Sequence, residues 1–173
     1  MVKGSPNPWH IGLPARLRKA RKRAGLTRAA LGPIVGLDAD VTGYIESGRR
    51  LPKVGTVARL ALGLAVPAGW LAFGIGDPDT SPTEATPDDM GTRLAIVRNE
   101  RGLTKAALAR SVNLSPSAFA KIENGGQTGV DVLAGLAKAL GVSPAWLAYG
   151  EGAQTLPPRR RIRIAAEPAH AAD

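Results

Sequence analysis

Apolar residues recur along this chain with the spacing of short amphipathic helices, and they recur in the same order twice. Val132, Leu133, Leu136, Ala137 and Leu140 lie three, four and seven residues apart, which is one buried stripe of a helix. Leu17, Leu26, Leu31, Leu37 and Ile45 reappear, displaced by 77, as Leu94, Leu103, Leu108, Leu114 and Ile122. Further on the displacement is 76: Leu60, Leu64, Val66, Trp70 and Leu71 return as Leu136, Leu140, Val142, Trp146 and Leu147. A fixed internal offset marks a duplicated folding unit, and duplication decides architecture before any local reading does.

Each unit reads as five short helices. In the second, Thr86-Pro87-Asp88-Asp89 supplies a cap, a proline for the first turn and acids for the dipole. Gly102 ends the first helix, Thr104 caps the second and Ser115-Pro116 opens the third. Gly141 ends the fourth, and Ser143-Pro144 starts a fifth bearing Trp146. The first unit follows the same plan less cleanly. Pro33 falls inside its second helix, Gly43 inside its third, and Thr42 stands where the second unit has Phe119. Repeat one is therefore expected to be the less regular and less stable half. The resulting division is a disordered 1–12, a domain over 13–76, a linker over 77–86, a domain over 87–152 and a disordered basic tail over 153–173. The linker, acidic and proline-bearing, is expected to be extended.

The chain has 173 residues, room for two small domains of about 60 residues each. It contains no cysteine, which excludes disulfides and thiolate metal sites. The longest apolar stretch, Val57 to Phe73, is broken by Arg59 and Pro67 and is too short to span a bilayer. A soluble, cytoplasmic protein with no membrane partner is expected. The net charge is +9, unevenly placed: residues 1–53 carry eleven Lys and Arg against three acids, whereas 54–89 carry one against five. Clustered basic charge is an electrostatic footprint for polyanions.

Two short helices, a tight turn and capped helices beyond describe a helix-turn-helix. The strings LRKARKRAGLTRAAL…VGL…YIESGRRLP and LAIVRNERGLTKAALARSVNLSPSAFAKIENG are followed by WLAFG and WLAYG. They resemble the phage repressor and Cro family, the lambda repressor-like or XRE-type DNA-binding domains, over about 14–76 and 90–152. The resemblance implies an all-α fold of two tandem five-helix helix-turn-helix domains. It also implies a sequence-specific regulator of transcription, of repressor type, that binds double-stranded DNA without catalysis.

The third helix of each repeat should then enter the major groove with its N-terminal and outward residues on base edges. In repeat two these are Ser115, Ser117, Ala120 and Lys121; lysine favours guanine acceptors. Thr104 stands at a helix N-terminus suited to phosphate, Lys105 beside it is a phosphate or base partner, and Asn124 follows the reading helix. Repeat one offers Ala39, Asp40 and Tyr44 on the matching face, with Thr27, Arg28, Arg49 and Arg50 around it. Asp38 and Asp40 repel phosphate, so repeat one is open to two readings: a head that grips backbone more than bases, or a surface for a protein partner, as in an antitoxin or co-regulator. The resemblance further implies ion pairs Arg21–Glu46 and Arg98–Glu123 between helix one and the end of helix three.

Trp70 and Trp146 are expected to be core plugs rather than stacking platforms, and Trp9 has no evident role. The Arg159–Arg163 arm suits phosphates or a minor groove as well as it suits solvent. His10 and His170 lie in the termini, and no metal spacing, phosphate loop or nucleophile elbow occurs, so neither an enzyme, a cofactor nor a metal is expected. Whether the chain also forms a homodimer is left open by the sequence.

Overall fold

The structure, a computed structural model, describes residues 9–82 and 89–156. Among them ten α-helices form, five per repeat: α1 (Leu13–Arg23), α2 (Arg28–Ile34), α3 (Val41–Glu46), α4 (Val54–Gly63), α5 (Ala68–Phe73), α6 (Met90–Glu100), α7 (Lys105–Ser111), α8 (Pro116–Glu123), α9 (Val130–Leu140) and α10 (Pro144–Tyr149). The caps explain where they begin. Thr27, Thr104 and Ser115 each accept from the amide three residues on at 3.1 Å, and Ser143 accepts from Trp146 at 3.4 Å. Gly25 and Gly102 turn the chain out of α1 and α6 at φ +69° and +63°, where a side chain would be strained.

One apolar cluster runs through both repeats. Leu17, Leu31, Ile45, Leu60 and Leu71 in one half, and Leu94, Leu108, Phe119, Leu133 and Leu147 in the other, are all essentially inaccessible. The repeats meet through α5 and α10. Phe73 and Tyr149, equivalent residues 76 apart, face each other with ring centroids 6.3 Å apart. The Tyr149 hydroxyl donates to the Val54 carbonyl at 3.2 Å. Val54 donates to Thr128 at 2.9 Å, and Val130 donates to Pro52 at 3.2 Å. Position 54 is equivalent to 130 and 52 to 128, so each bond is the symmetry mate of the other. Such reciprocity defines an isologous interface, here between two halves of a single chain.

Several expectations change. The linker is not extended where it is described: Asp77 to Thr80 form a turn, with Asp79 accepting an ion pair from Arg23 at the end of α1. Residues 83–86 lie outside the described residues, as do Thr86-Pro87-Asp88, so α6 is seen to begin at Met90 with Asp89 at its cap position. The described parts of the termini, 9–12 and 153–156, are ordered where disorder was expected; residues 1–8 and 157–173 lie outside the described residues. Residues 9–12 turn into α1, with Trp9 packed on the core, and the Gln154 carbonyl accepts from Ser143 at 2.7 Å. The arm at 159–163 lies outside the described residues. Pro33 does not break α2, because it is the second-to-last residue and costs only a last-turn bond. Trp70 and Trp146 are half-buried against the core rather than sealed within it.

Candidate nucleic-acid interface

A buried carboxylate organises the base of each reading helix. Glu46, at the end of α3, accepts from Arg21 Nε at 2.5 Å and Arg21 Nη2 at 3.1 Å. Glu123, at the end of α8, accepts from Arg98 Nε at 2.5 Å. Both arginines also donate Nη1 to the carbonyl that follows the α1 or α6 turn, Leu26 at 2.6 Å and Leu103 at 2.8 Å. The first helix thereby fixes the angle of the third. Burial pushes both glutamates up, but hydrogen bonds from their cations pull harder, and both lie below the ordinary carboxylate value.

Arg28 and Lys105, anticipated as phosphate partners, are drawn into the same clusters. Arg28 Nε lies 3.0 Å from Glu46 Oε2, and Lys105 Nζ lies 2.8 Å from Glu123 Oε2. Both side chains stay half-exposed, so each ties α2 or α7 to the reading helix while still facing solvent. Arg18 adds a third cation to Glu46, with Nη2 donating to its carbonyl at 3.1 Å. Each cluster therefore keeps a surplus of positive charge where the reading helix ends.

The anticipated base readers of repeat two form one exposed set. Ser115 caps α8, its Oγ is 3.1 Å from Ser117 Oγ, and Lys121 and Asn124 are exposed further along, with Ala120 partly covered. In repeat one the set is looser. The reading helix starts at Val41, two residues later than its counterpart, because Asp38 does not cap as Ser115 does. Ala39 thus sits in the preceding turn, Asp40 is a cap position without a side-chain bond, and Tyr44, Arg49 and Arg50 are exposed. Thr27 and Thr104 are exposed at the starts of the seven-residue helices α2 and α7, where each side chain accepts from one amide, that of Ala30 or Ala107.

A second pair of arginines was not singled out in the sequence. Arg16 donates to the Leu71 and Ala72 carbonyls at 2.9 and 2.8 Å, and Arg93 donates to Leu147 and Ala148 at 3.0 and 2.9 Å. These are orphan carbonyls near the ends of α5 and α10. Arg16 also reaches the Trp9 carbonyl at 3.2 Å, which gives that segment its anchor. The signal was present: Arg16 and Arg93 are 77 apart. Glu151 was also missed. Its carboxylate accepts from Ala68 at 3.0 Å and Gly69 at 2.7 Å across the repeat interface. Burial raises its pKa against those two bonds.

Comparison with known proteins places the geometry in a class. The helix-turn-helix family matches residues 94–147, and the helix-turn-helix domain family matches residues 13–70. The chain is a tandem helix-turn-helix protein of the XRE type. It is similar to the HTH-type transcriptional regulator PrtR of Pseudomonas aeruginosa, 37% identical over 71 residues, which is 41% of this chain and 28% of that protein. The chain therefore matches little more than a quarter of that relative's length. No solved structure matches. Among the described residues no helix is long and apolar enough to cross a membrane, and no group of side chains is arranged to hold a metal ion.

Proposed function

We propose that the protein is a bacterial or phage-type DNA-binding regulator of transcription, a repressor acting in the cytoplasm, whose two repeats grip double-stranded DNA as a one-chain equivalent of a dimer. One observation carries the proposal: the bonds Val54–Thr128 and Val130–Pro52 exchange equivalent positions between the repeats, the reciprocity expected if a pseudo-two-fold also related α3 to α8. Two reading helices so related suit two half-sites about 34–36 Å apart, one helical turn. The exposed Lys121, Arg28, Lys105, Arg49 and Arg50 supply positive charge around them. Because repeat one presents Asp40 and Tyr44 where repeat two presents Ser117 and Lys121, the two half-sites would differ.

Selection of bound sequences from a random duplex library, followed by titration against salt, tests the reading. Two unequal half-sites a turn apart support it. Log affinity should fall with log salt at a slope of about −5 to −9 for roughly six to ten phosphate contacts. Binding to no duplex in dilute buffer would end it. A second reading, in which repeat one holds a protein and only repeat two reads DNA, is favoured by the exposed Asp38 and Asp40. It requires selection to return a single half-site.

A further inference from the structure

Each position has an equivalent 76 or 77 residues away, so every surface of one repeat has an internal control in the other. One face of repeat one departs from that control. At the ends of α2 and α4, Ile34 and Leu62 are 59% and 68% exposed. The two helix ends lie side by side, since Ile34 Cγ2 comes within 3.9 Å of where a Cβ on Gly63, the residue after Leu62, would sit. Their equivalents are Ser111 and Lys138. One turn back along α4, Arg59 lies on the same side and donates to the Gly36 carbonyl at 3.1 Å. Beside it opens a groove of about 490 Å³, walled by Leu37 and Val41 and lined also by Lys53 and Arg59. The equivalents of Lys53 and Arg59 are Gly129 and Gly135.

Repeat one thus carries exposed aliphatic groups and cations together where repeat two carries glycine, serine and lysine. Single exposed apolar residues need no explanation, but two at neighbouring helix ends beside a cation-lined groove do. Duplex DNA accounts for the cations and not for the aliphatic pair, since phosphate offers no apolar surface. Asp38 is the one carboxylate among the residues lining the groove. We propose that this face docks an acidic amphipathic segment of a partner protein. Its aliphatic side chains, spaced three or four apart, would cover Ile34 and Leu62, and its carboxylates would face Arg59 and Lys53.

Random peptides of about 16 residues, roughly four helical turns, displayed on phage and selected against the intact chain, test this. Enriched sequences should combine Asp or Glu with aliphatic residues three or four apart. Labelled synthetic copies should bind at least about tenfold more weakly to the Ile34→Ser/Leu62→Lys chain and to Arg59→Glu, a change of about 1.4 kcal/mol. The first variant installs residues that repeat two already carries on an exposed face, and Arg59→Glu is an independent exposed change. Duplex affinity of the first variant should stay within about twofold of the parent. No enrichment, enrichment of basic peptides, or equal binding to the variants would overturn the proposal. So would loss of duplex affinity in Ile34→Ser/Leu62→Lys, which gives the face to DNA, or loss of a sedimenting dimer, which gives it to a second copy.

Discussion

Gly69 on α5 and Ala145 on α10 are equivalent residues that meet across the repeat interface. A Cβ built on Gly69 would lie 2.5 Å from the Ala145 Cβ and 2.7 Å from Glu151 Oε2. Neither backbone can withdraw without losing the Glu151 bonds to Ala68 and Gly69. Gly69→Val should therefore cost about 1–3 kcal/mol by overpacking and drive the repeats apart. Urea midpoints and small-angle scattering would measure the two effects. An unchanged radius and midpoint would mean the repeats are not held by this contact.

Gly43 provides the contrast. It lies within α3, its φ is not positive, and a Cβ there would meet nothing within 4 Å. Repeat two has Ala120 at the equivalent place. Gly43→Ala should stabilise by about 0.5–1 kcal/mol through backbone entropy alone. A urea midpoint that falls instead would show that α3 needs the freedom of glycine.

Thr42 is fully buried, and its Oγ1 has no hydrogen-bond partner among the described residues. The equivalent Phe119 is an apolar plug. A buried hydroxyl without a partner costs about 1–3 kcal/mol, so Thr42→Val, nearly the same shape, should stabilise by about 1 kcal/mol. Loss of stability on that change would mean that the hydroxyl finds a partner.

How much of this was readable in advance depended on whether residue type carries the information. Thr27, Thr104, Ser115 and Ser143 are caps whose chemistry is local, and each begins a helix where the sequence implied. Arg21–Glu46 and Arg98–Glu123 were legible because the family resemblance implies such a pair and the same charges recur at matched positions in both repeats. The joining of the repeats was not legible. It rests on backbone amides of Val54 and Val130, which any residue but proline supplies, and on one unrepeated carboxylate, Glu151, whose equivalent is Ile75. The turn at Asp77 to Thr80 was read as extended because its composition is that of a linker. It is closed by local bonds to Asp77 from Asp79 and Thr80, with the distant Arg23 paired to Asp79 beside it. The late start of α3 likewise follows from Asp38 failing to cap, which the presence of an aspartate does not reveal.

The glutamate clusters set an acid limit on stability. Glu46 and Glu123 lie below the ordinary value of 4.5 in the folded chain. Their contribution is complete above that value and is lost as pH falls through the lower folded one. Glu151 lies above 4.5. Its contribution is complete below that value and declines as pH rises through the folded one. Melting temperature should therefore drop steeply below about pH 4, the ordinary glutamate range, with only partial relief from Glu151. Glu123→Gln should cost about 3 kcal/mol at neutral pH, since it leaves Arg98 buried without a counter-charge, and should flatten part of that acid limb. A variant with the parent's full acid sensitivity would remove Glu123 from the account.

Lys121 and Lys105 separate reading from gripping. Lys121 is exposed on the outward side of α8, whereas Lys105 is tied to Glu123 at 2.8 Å with half its side chain in solvent. If α8 enters the major groove, Lys121→Ala removes a contact to base acceptors. It should relax preference at one base pair by about 1–3 kcal/mol and leave other positions as they were. Lys105→Ala removes charge near phosphate. It should weaken every sequence alike and reduce the salt slope by about one. Lys105 is half-exposed and Glu123 keeps its Arg98 partner, so losing the Lys105 contact should cost no more than about 0.2–1 kcal/mol and scarcely move the urea midpoint. Binding-site selection on the two variants distinguishes these outcomes. If Lys105→Ala changed the preferred sequence and Lys121→Ala changed only affinity, α8 would not present its outward face to the bases, and the orientation fixed by Arg98 and Glu123 would serve some other contact.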